Sequence, residues 1–159
     1  MCCPFLSTNY WGSIASRLAI CMGLKMKQLN LQQIKEILPH RYPFLFLDRI
    51  EDYEAGKFAV GYKRVTLNEE FPLISGGLVV EALGQAGAIA ILELEENRGK
   101  IVLLGGINHC EFHRPIQPGD QVRLETRVKF VKGPYGVGEA VASVDGQNVV
   151  SAEIAFVVT

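Results

Sequence analysis

The sequence lacks an excess of charge of either sign. Its 159 residues include 16 lysines and arginines against 17 aspartates and glutamates, for a formal net charge of −1. Nucleic-acid-binding proteins carry a basic patch or stripe, and none is visible along this chain. We therefore expect no nucleic-acid partner. A local basic patch could still contact an acidic protein.

Cysteine and histidine are scarce. Three of the four cysteines lie within the first 21 residues, and only Cys110 lies in the body of the chain. No disulfide framework is therefore indicated. His109 and His113 have a spacing that a metal site can use, but no acidic or cysteine ligand follows at suitable spacing. We expect two strand or turn histidines and no metal.

The first 25 residues contain no acidic side chain. This segment is rich in serine and carries Arg17 and Lys25, a composition typical of an organelle transit peptide. An over-extended start, with Met22 or Met26 as the true first residue, is the alternative. Its apolar stretches are too short and broken for a membrane span. We predict a leader over 1–26 and one folded domain over 27–159. The protein is then cytoplasmic if it is prokaryotic, and in a plastid or other organelle if the leader is a transit peptide.

The first half of the domain predicts a short helix, two strands and a long helix. Apolar residues at helical spacing indicate a helix over 29–38, with Asn30 as its cap. Strands are indicated over 44–53 and 57–67, joined by a turn at Ala55-Gly56. A connection over 68–77 then leads to a helix over 78–96.

The second half is rich in strands. The strand over 100–112 has a bulge or bend at Gly105-Gly106, and the strands over 135–144 and 147–159 meet at an Asp145-Gly146 turn. The strand over 121–131 alternates in polarity, and the residues predicted to face one way are Val122, Leu124, Thr126, Val128 and Phe130.

The long helix is apolar on nearly all sides from Leu78 to Leu92, which is typical of a buried helix. Its small residues, Gly84 and Gly87 among them, would let a sheet approach closely. One buried helix and a largely antiparallel sheet predict an α+β domain. A curled sheet wrapped around that helix, the hot-dog fold, would bury all its faces.

Four strings follow one another in this chain: ILPHRYPFLFLDRI, VTLNEEF, GLVVEALGQAGAIAIL and CEFHRPIQPGDQVRLE. From about Leu29 to Val158 the sequence resembles the FabZ family of (3R)-hydroxyacyl-[acyl-carrier-protein] dehydratases of type II fatty acid synthesis. The resemblance implies a hot-dog fold and two chains that pair to share sites, with dimers that often assemble as trimers of dimers. It also implies no metal or organic cofactor, and a substrate carried on the phosphopantetheine of acyl carrier protein, the expected partner.

The resemblance also assigns roles to the two polar residues of the apolar helix. Dehydration removes a proton from C2 and expels the C3 hydroxyl as water, so it needs a base and an acid. By this resemblance Glu81 is the catalytic acid, and Gln85 supports it from the next turn. An unpaired buried carboxylate is costly, so such positions are usually functional or well satisfied by hydrogen bonds.

Five more residues are assigned to the substrate side by the same resemblance. His40 and Tyr42 border the acyl tunnel, and Phe44 forms part of its wall. Gly76 or Gly77 offers the backbone amide that polarises the thioester carbonyl.

The chain departs from the family at the base. The family's catalytic histidine lies in a loop with a G-H-F-P core just before the helix, whereas this chain reads EEFPLISGGLVVEA and lacks that core. His40 is the only histidine before the helix, so it is a possible replacement.

Three explanations for the gap are open. The recorded sequence omits residues, the protein is a shortened and weak dehydratase, or it is a catalytically impaired subunit that binds acyl carriers or completes an assembly. A thioesterase is a further alternative, against which the LPHRYPF string argues.

Overall fold

The structure is a computed structural model that describes residues 27–66 and 76–159. The predicted leader over 1–26 and most of the predicted connection over 68–77 lie outside these residues. Two α-helices are described, α1 (Leu31–Ile37) and α2 (Gly77–Leu92). The described strands are β1 (Arg49–Glu54), β2 (Phe58–Arg64), β3 (Val102–Phe112), β4 (Gln121–Lys132), β5 (Tyr135–Val144) and β6 (Gln147–Val158).

Helix α1 begins with the predicted cap. The Asn30 side chain accepts from the Gln33 N–H at 3.0 Å, and the Gln33 side chain accepts from the Asn30 N–H at 2.9 Å. This capping box satisfies two backbone donors at the helix start. The helix ends at Ile37, shortly before Pro39, which cannot continue it.

The six described strands form one antiparallel sheet in the order β1-β2-β4-β5-β6-β3. The β5–β6 hairpin turns at Asp145 and Gly146, with φ angles of 50° and 78°. These left-handed angles explain why an Asp-Gly pair predicted the turn correctly. The order leaves β1 and β3 at the two edges of the sheet.

Helix α2 lies inside the curl of this sheet and contacts all six strands. Its side chains from Val79 to Leu92 are buried, apart from a few positions. A Cβ atom on Gly87 would lie 3.4 Å from Thr126 Oγ1, so the glycine permits close packing against β4. The prediction of an α+β hot-dog fold is confirmed.

The predicted strand over 44–53 is wrong in its first half, because β1 begins only at Arg49. The backbone of the preceding residues bonds to a helix side chain instead of a strand. The Phe46 N–H donates to Gln85 Oε1, and the Phe44 carbonyl accepts from Gln85 Nε2, both at 2.9 Å. Hydrogen bonds to Gln85 therefore replace the strand-to-strand hydrogen bonds that were expected for this segment.

The long helix ends at Leu92 rather than at residue 96, and a 3₁₀ turn follows at Glu95–Asn97. Its last carbonyls find partners outside the helix. Ala90 O accepts from the Gly56 N–H at 2.9 Å, and Ile91 O accepts from Asn97 Nδ2 at 3.1 Å. These bonds terminate the helix before the polar sequence that follows.

Several strands contain register shifts, and two of these shifts bear on the predictions. The bulge expected at Gly105-Gly106 is confirmed by a register shift between Leu104 and Gly106. A shift between Val128 and Phe130 interrupts the alternation of β4. Phe130 is 56% exposed, and the prediction that it faces the same way as Val122 and Leu124 is wrong.

Candidate active site

A cavity of about 260 Å³ lies between helix α2, the curled sheet and the segment before β1. Its polar residues include His40, Glu81 and Gln85, with Phe44 beside them. Most of the remaining wall is apolar and extends along α2 as far as Ile91, about 15 Å from Glu81 along the helix axis. The cavity therefore combines a polar group near the helix start with a long apolar surface.

Gln85 is the most constrained polar residue of the cavity, with 1% of its surface exposed. Besides its bonds to the backbone of Phe44 and Phe46, its Nε2 donates to Glu81 Oε1 at 3.0 Å. The amide thus uses both of its donors and its acceptor. Gln85 fixes the Glu81 carboxyl relative to the segment that precedes β1.

Glu81 lies one helical turn before Gln85, and its side chain is 21% exposed. His40 Nε2 is 3.5 Å from Glu81 Oε1, and the His40 side chain is 25% exposed. This separation is longer than the usual 2.7–3.2 Å of an N–H···O bond. His40 Nδ1 is buried and has no hydrogen-bond partner among the described residues.

His40 is held by local structure just after α1. Arg41 Nη1 donates to the Leu38 carbonyl at 2.8 Å and to the His40 carbonyl at 2.7 Å. One guanidinium therefore satisfies the helix end and orients the backbone at His40. The short capped helix and this bond place the imidazole beside α2, although His40 and Glu81 are distant in sequence.

The structure brings together four of the seven residues that the sequence assigned to a site: His40, Phe44, Glu81 and Gln85. Tyr42 is 95% exposed and does not line the cavity in the single described chain. Its tunnel role stays a prediction.

The two glycines also lie apart from this cavity. Gly76 lines a separate pocket with Phe112 and His113, on another side of α2. Gly77 is exposed, and a Cβ added there would meet no atom within 4 Å. Gly77 lies one helical turn before Glu81 but, like Gly76, does not line the cavity of Glu81, so the amide role of the two glycines stays a prediction.

Sequence reasoning missed the strand residues that complete the cavity. Leu103 and Leu104 of β3, Thr126 of β4 and Phe156 of β6 all line it. The alternation of β4 did indicate that Thr126 faces inward. No local pattern indicated β3, since its bulges displace successive side chains.

The two histidines that raised the question of a metal have separate partners. His109 Nε2 is 3.1 Å from Glu111 Oε1, and His113 Nε2 is 2.9 Å from Ser151 Oγ. Across residues 27–66 and 76–159, no cluster of three or more His, Cys, Asp or Glu side chains is arranged to bind a metal ion.

A second glutamate, Glu93, lies at the other end of α2. Its Oε2 accepts from the Tyr53 hydroxyl at 2.7 Å. Burial, followed by this hydrogen bond, raises the pKa of Tyr53 to about 12. The pair joins the helix end to β1, and Glu93 does not line the cavity.

Comparison with known proteins identifies the class. Residues 38–153 match the family model of the FabA-like domain. A protein of Bacillus cytotoxicus named 3-hydroxyacyl-[acyl-carrier-protein] dehydratase FabZ is 54% identical over 136 residues, which cover 80% of this chain and 94% of that protein. A protein of the same name from Bacillus thuringiensis is 49% identical over 138 residues, 82% of this chain and 96% of that one. The chain belongs to the FabA-like family, as a member of the FabZ type.

Solved structures support the fold alone. A dehydratase heterocomplex, ApeI:P from Xenorhabdus doucetiae, has a TM-score of 0.65 at 17% identity and covers 78% of this chain and 89% of its own. A hypothetical thioesterase with coenzyme A from Streptococcus pneumoniae has a TM-score of 0.56 at 15% identity, covering 69% of this chain and 84% of its own. The fold occurs in proteins named as a dehydratase and as a thioesterase, so the fold alone does not decide between these two activities.

Proposed function

We propose that this chain dehydrates (3R)-hydroxyacyl-[acyl-carrier-protein] to trans-2-enoyl-[acyl-carrier-protein] in type II fatty acid synthesis. The observation that carries the proposal is the Glu81 carboxyl, held by Gln85 in a largely apolar cavity. The FabZ relatives, about half identical over nearly their whole length, support this reaction over the alternative of an impaired binding module. Their bacterial source supports the cytoplasmic location over the organelle one.

Glu81 is the acid of the proposed reaction. It donates a proton to the C3 hydroxyl while a base takes a proton from C2, so the C2–H and C3–O bonds break and water leaves as the C2–C3 double bond forms. The Gln85 amide holds the carboxyl in place before the substrate arrives, which lowers the cost of orientation during the reaction. The reaction consists of two proton transfers and the breaking of the C3–O bond, with no net oxidation or reduction, and we propose that it proceeds without a metal or organic cofactor.

The apolar part of the cavity suits the acyl chain. Side chains from α2, β3, β4, β5 and β6 form this wall, and Ile91 and Phe156 lie on it far from Glu81. Apolar surface buried against such a wall contributes about 25 cal/mol per Å². The thioester and its phosphopantetheine arm would then extend from the polar end towards the acyl carrier protein.

The edge strand β3 supports self-association. Among the described strands it is bonded on one side only, to β6, and it is 11 residues long. Leu103, Leu104, Ile107 and Phe112 are each between 45% and 59% exposed. A long apolar edge is a template for pairing, and a second copy can pair with it about a two-fold axis. We propose a dimer through this edge, assembled further as a trimer of dimers, which sedimentation analysis can check.

Neither helix in the described part of the chain has the length and hydropathy that a membrane span requires.

The test is thioester turnover by the purified chain, with its mass first confirmed at 17.6 kDa or at the cleaved equivalent. The assay follows hydration of an enoyl-carrier thioester, which is the reverse reaction, and measures free thiol in parallel. We expect hydration that is lost in Glu81→Gln, without release of thiol. Glu81-dependent thiol release would favour a thioesterase, and a folded, inactive chain would favour the binding module.

A further inference from the structure

The proposed dehydration needs a base as well as an acid, and the family's G-H-F-P histidine is absent from this sequence. The chain has three histidines, at positions 40, 109 and 113. All three lie among the described residues, and only His40 lines the cavity of Glu81. His109 and His113 each have a polar partner elsewhere on the sheet.

We propose that His40 is the base that removes the C2 proton, and that it acts with Glu81 of the same chain. The inference rests on the proposed dehydratase function and deepens it. It differs from the role that the resemblance gave His40, which was to border the acyl tunnel.

The hydrogen bonding of His40 is not that of a structural histidine. A structural imidazole in a partly buried position normally has both nitrogens satisfied. Here Nδ1 is buried without a partner among the described residues. Nε2 has Glu81 Oε1 as its neighbour at 3.5 Å, which exceeds an ordinary hydrogen bond. Nε2 is therefore the nitrogen that remains available at the cavity.

The proton balance of the step is complete within the pair. Nε2 takes the proton from C2, and the electrons of that C–H bond form the C2–C3 double bond. The C3–O bond breaks, and the leaving oxygen takes the proton of Glu81 to become water. His40 ends with one proton more and Glu81 with one proton fewer, so no further reactant is needed.

The distance between the two side chains favours this division of roles. The reaction creates a positive charge on His40 and a negative charge on Glu81 at the same time. Because the two groups are 3.5 Å apart in a mostly apolar cavity, the opposite charges stabilise each other as they form. A neutral pair before the reaction thus becomes an ion pair after it.

The supporting contacts hold both members of the pair. Gln85 fixes Glu81 through three hydrogen bonds that link it to the segment before β1. Arg41 fixes the backbone of His40 through the carbonyl. The ionisable groups around His40 are Glu81 of α2, which lies 3.5 Å from the imidazole, and Arg41, which bonds to the His40 carbonyl, while Arg127 and Glu139 of the sheet also line the cavity.

The test compares His40→Gln with His109→Gln, a matched change at an exposed histidine of β3 outside the cavity. For His40→Gln we expect kcat/KM for enoyl hydration to fall roughly 100- to 10,000-fold, mostly in kcat, because in this reverse direction His40 returns the proton to C2 and general acid–base catalysis contributes that much. A rise in KM at unchanged kcat would return His40 to the role of a tunnel residue and overturn the proposal.

Two further measurements distinguish the loss of a base from poor folding of a variant. Imidazole added to His40→Ala should restore part of the turnover, which only a folded protein can show; no rescue would count against the base assignment. The double variant His40→Gln, Glu81→Gln should lose much less than the product of the two single losses, because a pair that acts as a unit is non-additive. Strictly multiplicative losses would overturn the pairing.

The failure of this inference is distinguishable from the failure of the proposed function. If the unsubstituted chain hydrates the thioester and His40→Gln does so equally well, the base assignment alone is wrong. If the unsubstituted, folded chain shows no turnover, the dehydratase function is wrong, and the base assignment with it.

Discussion

Helix α2 has a glutamate near each end, and the two are used differently. Glu81 lines the cavity, accepts one bond from Gln85 and has the imidazole of His40 as its neighbour. Glu93 lies outside the cavity and accepts a bond from the Tyr53 hydroxyl, which joins the helix to β1. Both carboxyls are partly buried and hydrogen-bonded. What distinguishes a candidate acid from a structural carboxyl is therefore the open apolar space beside it.

The largest expected effect is on enzymatic activity, and it differs between Glu81 and Glu93. Glu81→Gln should lower kcat/KM for enoyl hydration roughly 100- to 10,000-fold, because the carboxyl that donates a proton in dehydration accepts one in this reverse reaction, and an amide of the same shape cannot. Glu93→Gln should leave kcat/KM unchanged and lower the free energy of unfolding by about 1 kcal/mol. Turnover assays and urea unfolding measure both. Equal losses of activity in the two variants would contradict the distinction between Glu81 and Glu93.

The next effect is that of Gln85→Leu, which keeps the size of the side chain and removes its polar groups. It leaves the buried Phe46 N–H and Phe44 carbonyl without their partner, and we expect a loss of about 2–4 kcal/mol in the free energy of unfolding. Activity should fall as well, since Glu81 loses its fixed orientation. Gln147→Leu, at an exposed glutamine, is the matched control and should stay within about 0.5 kcal/mol. A Gln85→Leu protein as stable as this control would contradict the role of the amide.

A smaller effect concerns the Glu93 end and depends on pH. The pKa of Tyr53 is about 12 in the folded chain, above its ordinary value of 10.0. Between these values the folded protein keeps a proton that the unfolded chain has lost. The contribution is therefore complete below pH 10 and lost as pH rises through 12, by up to roughly 2.7 kcal/mol for a two-unit shift.

Unfolding of the unsubstituted chain and of Tyr53→Phe, measured from pH 8 to 12, isolates this contribution. The difference in unfolding free energy between them should shrink or change sign as pH rises above 10. A difference that is constant with pH would mean that burial and Glu93 do not hold the phenol in its protonated form.

The smallest effect tests the segment that carries His40. Asn30→Ala removes the side-chain cap of α1 and should lower the free energy of unfolding by about 1 kcal/mol. Activity should persist, because Arg41 still holds the backbone at His40. A large loss of kcat at preserved stability would show that the site depends on α1 more than the contacts indicate. Thermal unfolding and turnover on the same preparation provide both readouts.

Local signals were enough for part of the fold. Asn30 predicted its cap, Asp145-Gly146 its hairpin and Gly105-Gly106 its bulge, because each depends on backbone geometry within a few residues. The near-continuous apolar surface of α2 predicted its burial and hence the hot-dog arrangement. The β4 bulge before Phe130 has no such local cause, and the alternation pattern gave no sign of it.

The errors and gaps in the prediction have a common physical origin. The segment before β1 is apolar enough for a strand, but Gln85 takes its backbone groups, and only the folded structure brings them together. Helix α2 ends early because Gly56 and Asn97 occupy its last carbonyls. The His40–Glu81 pair likewise joins two elements distant in sequence. Resemblance to a family identified both residues but did not predict their contact.

The orientation of one amide makes the two carboxyl oxygens of Glu81 inequivalent. Gln85 Oε1 accepts from the Phe46 N–H, so Nε2 points towards Glu81 Oε1, and rotating the amide by half a turn would break both bonds. Oε1 of Glu81 therefore carries the Gln85 bond and also faces His40 Nε2. A single main-chain N–H, at Phe46, thereby sets which end of the amide the carboxyl meets.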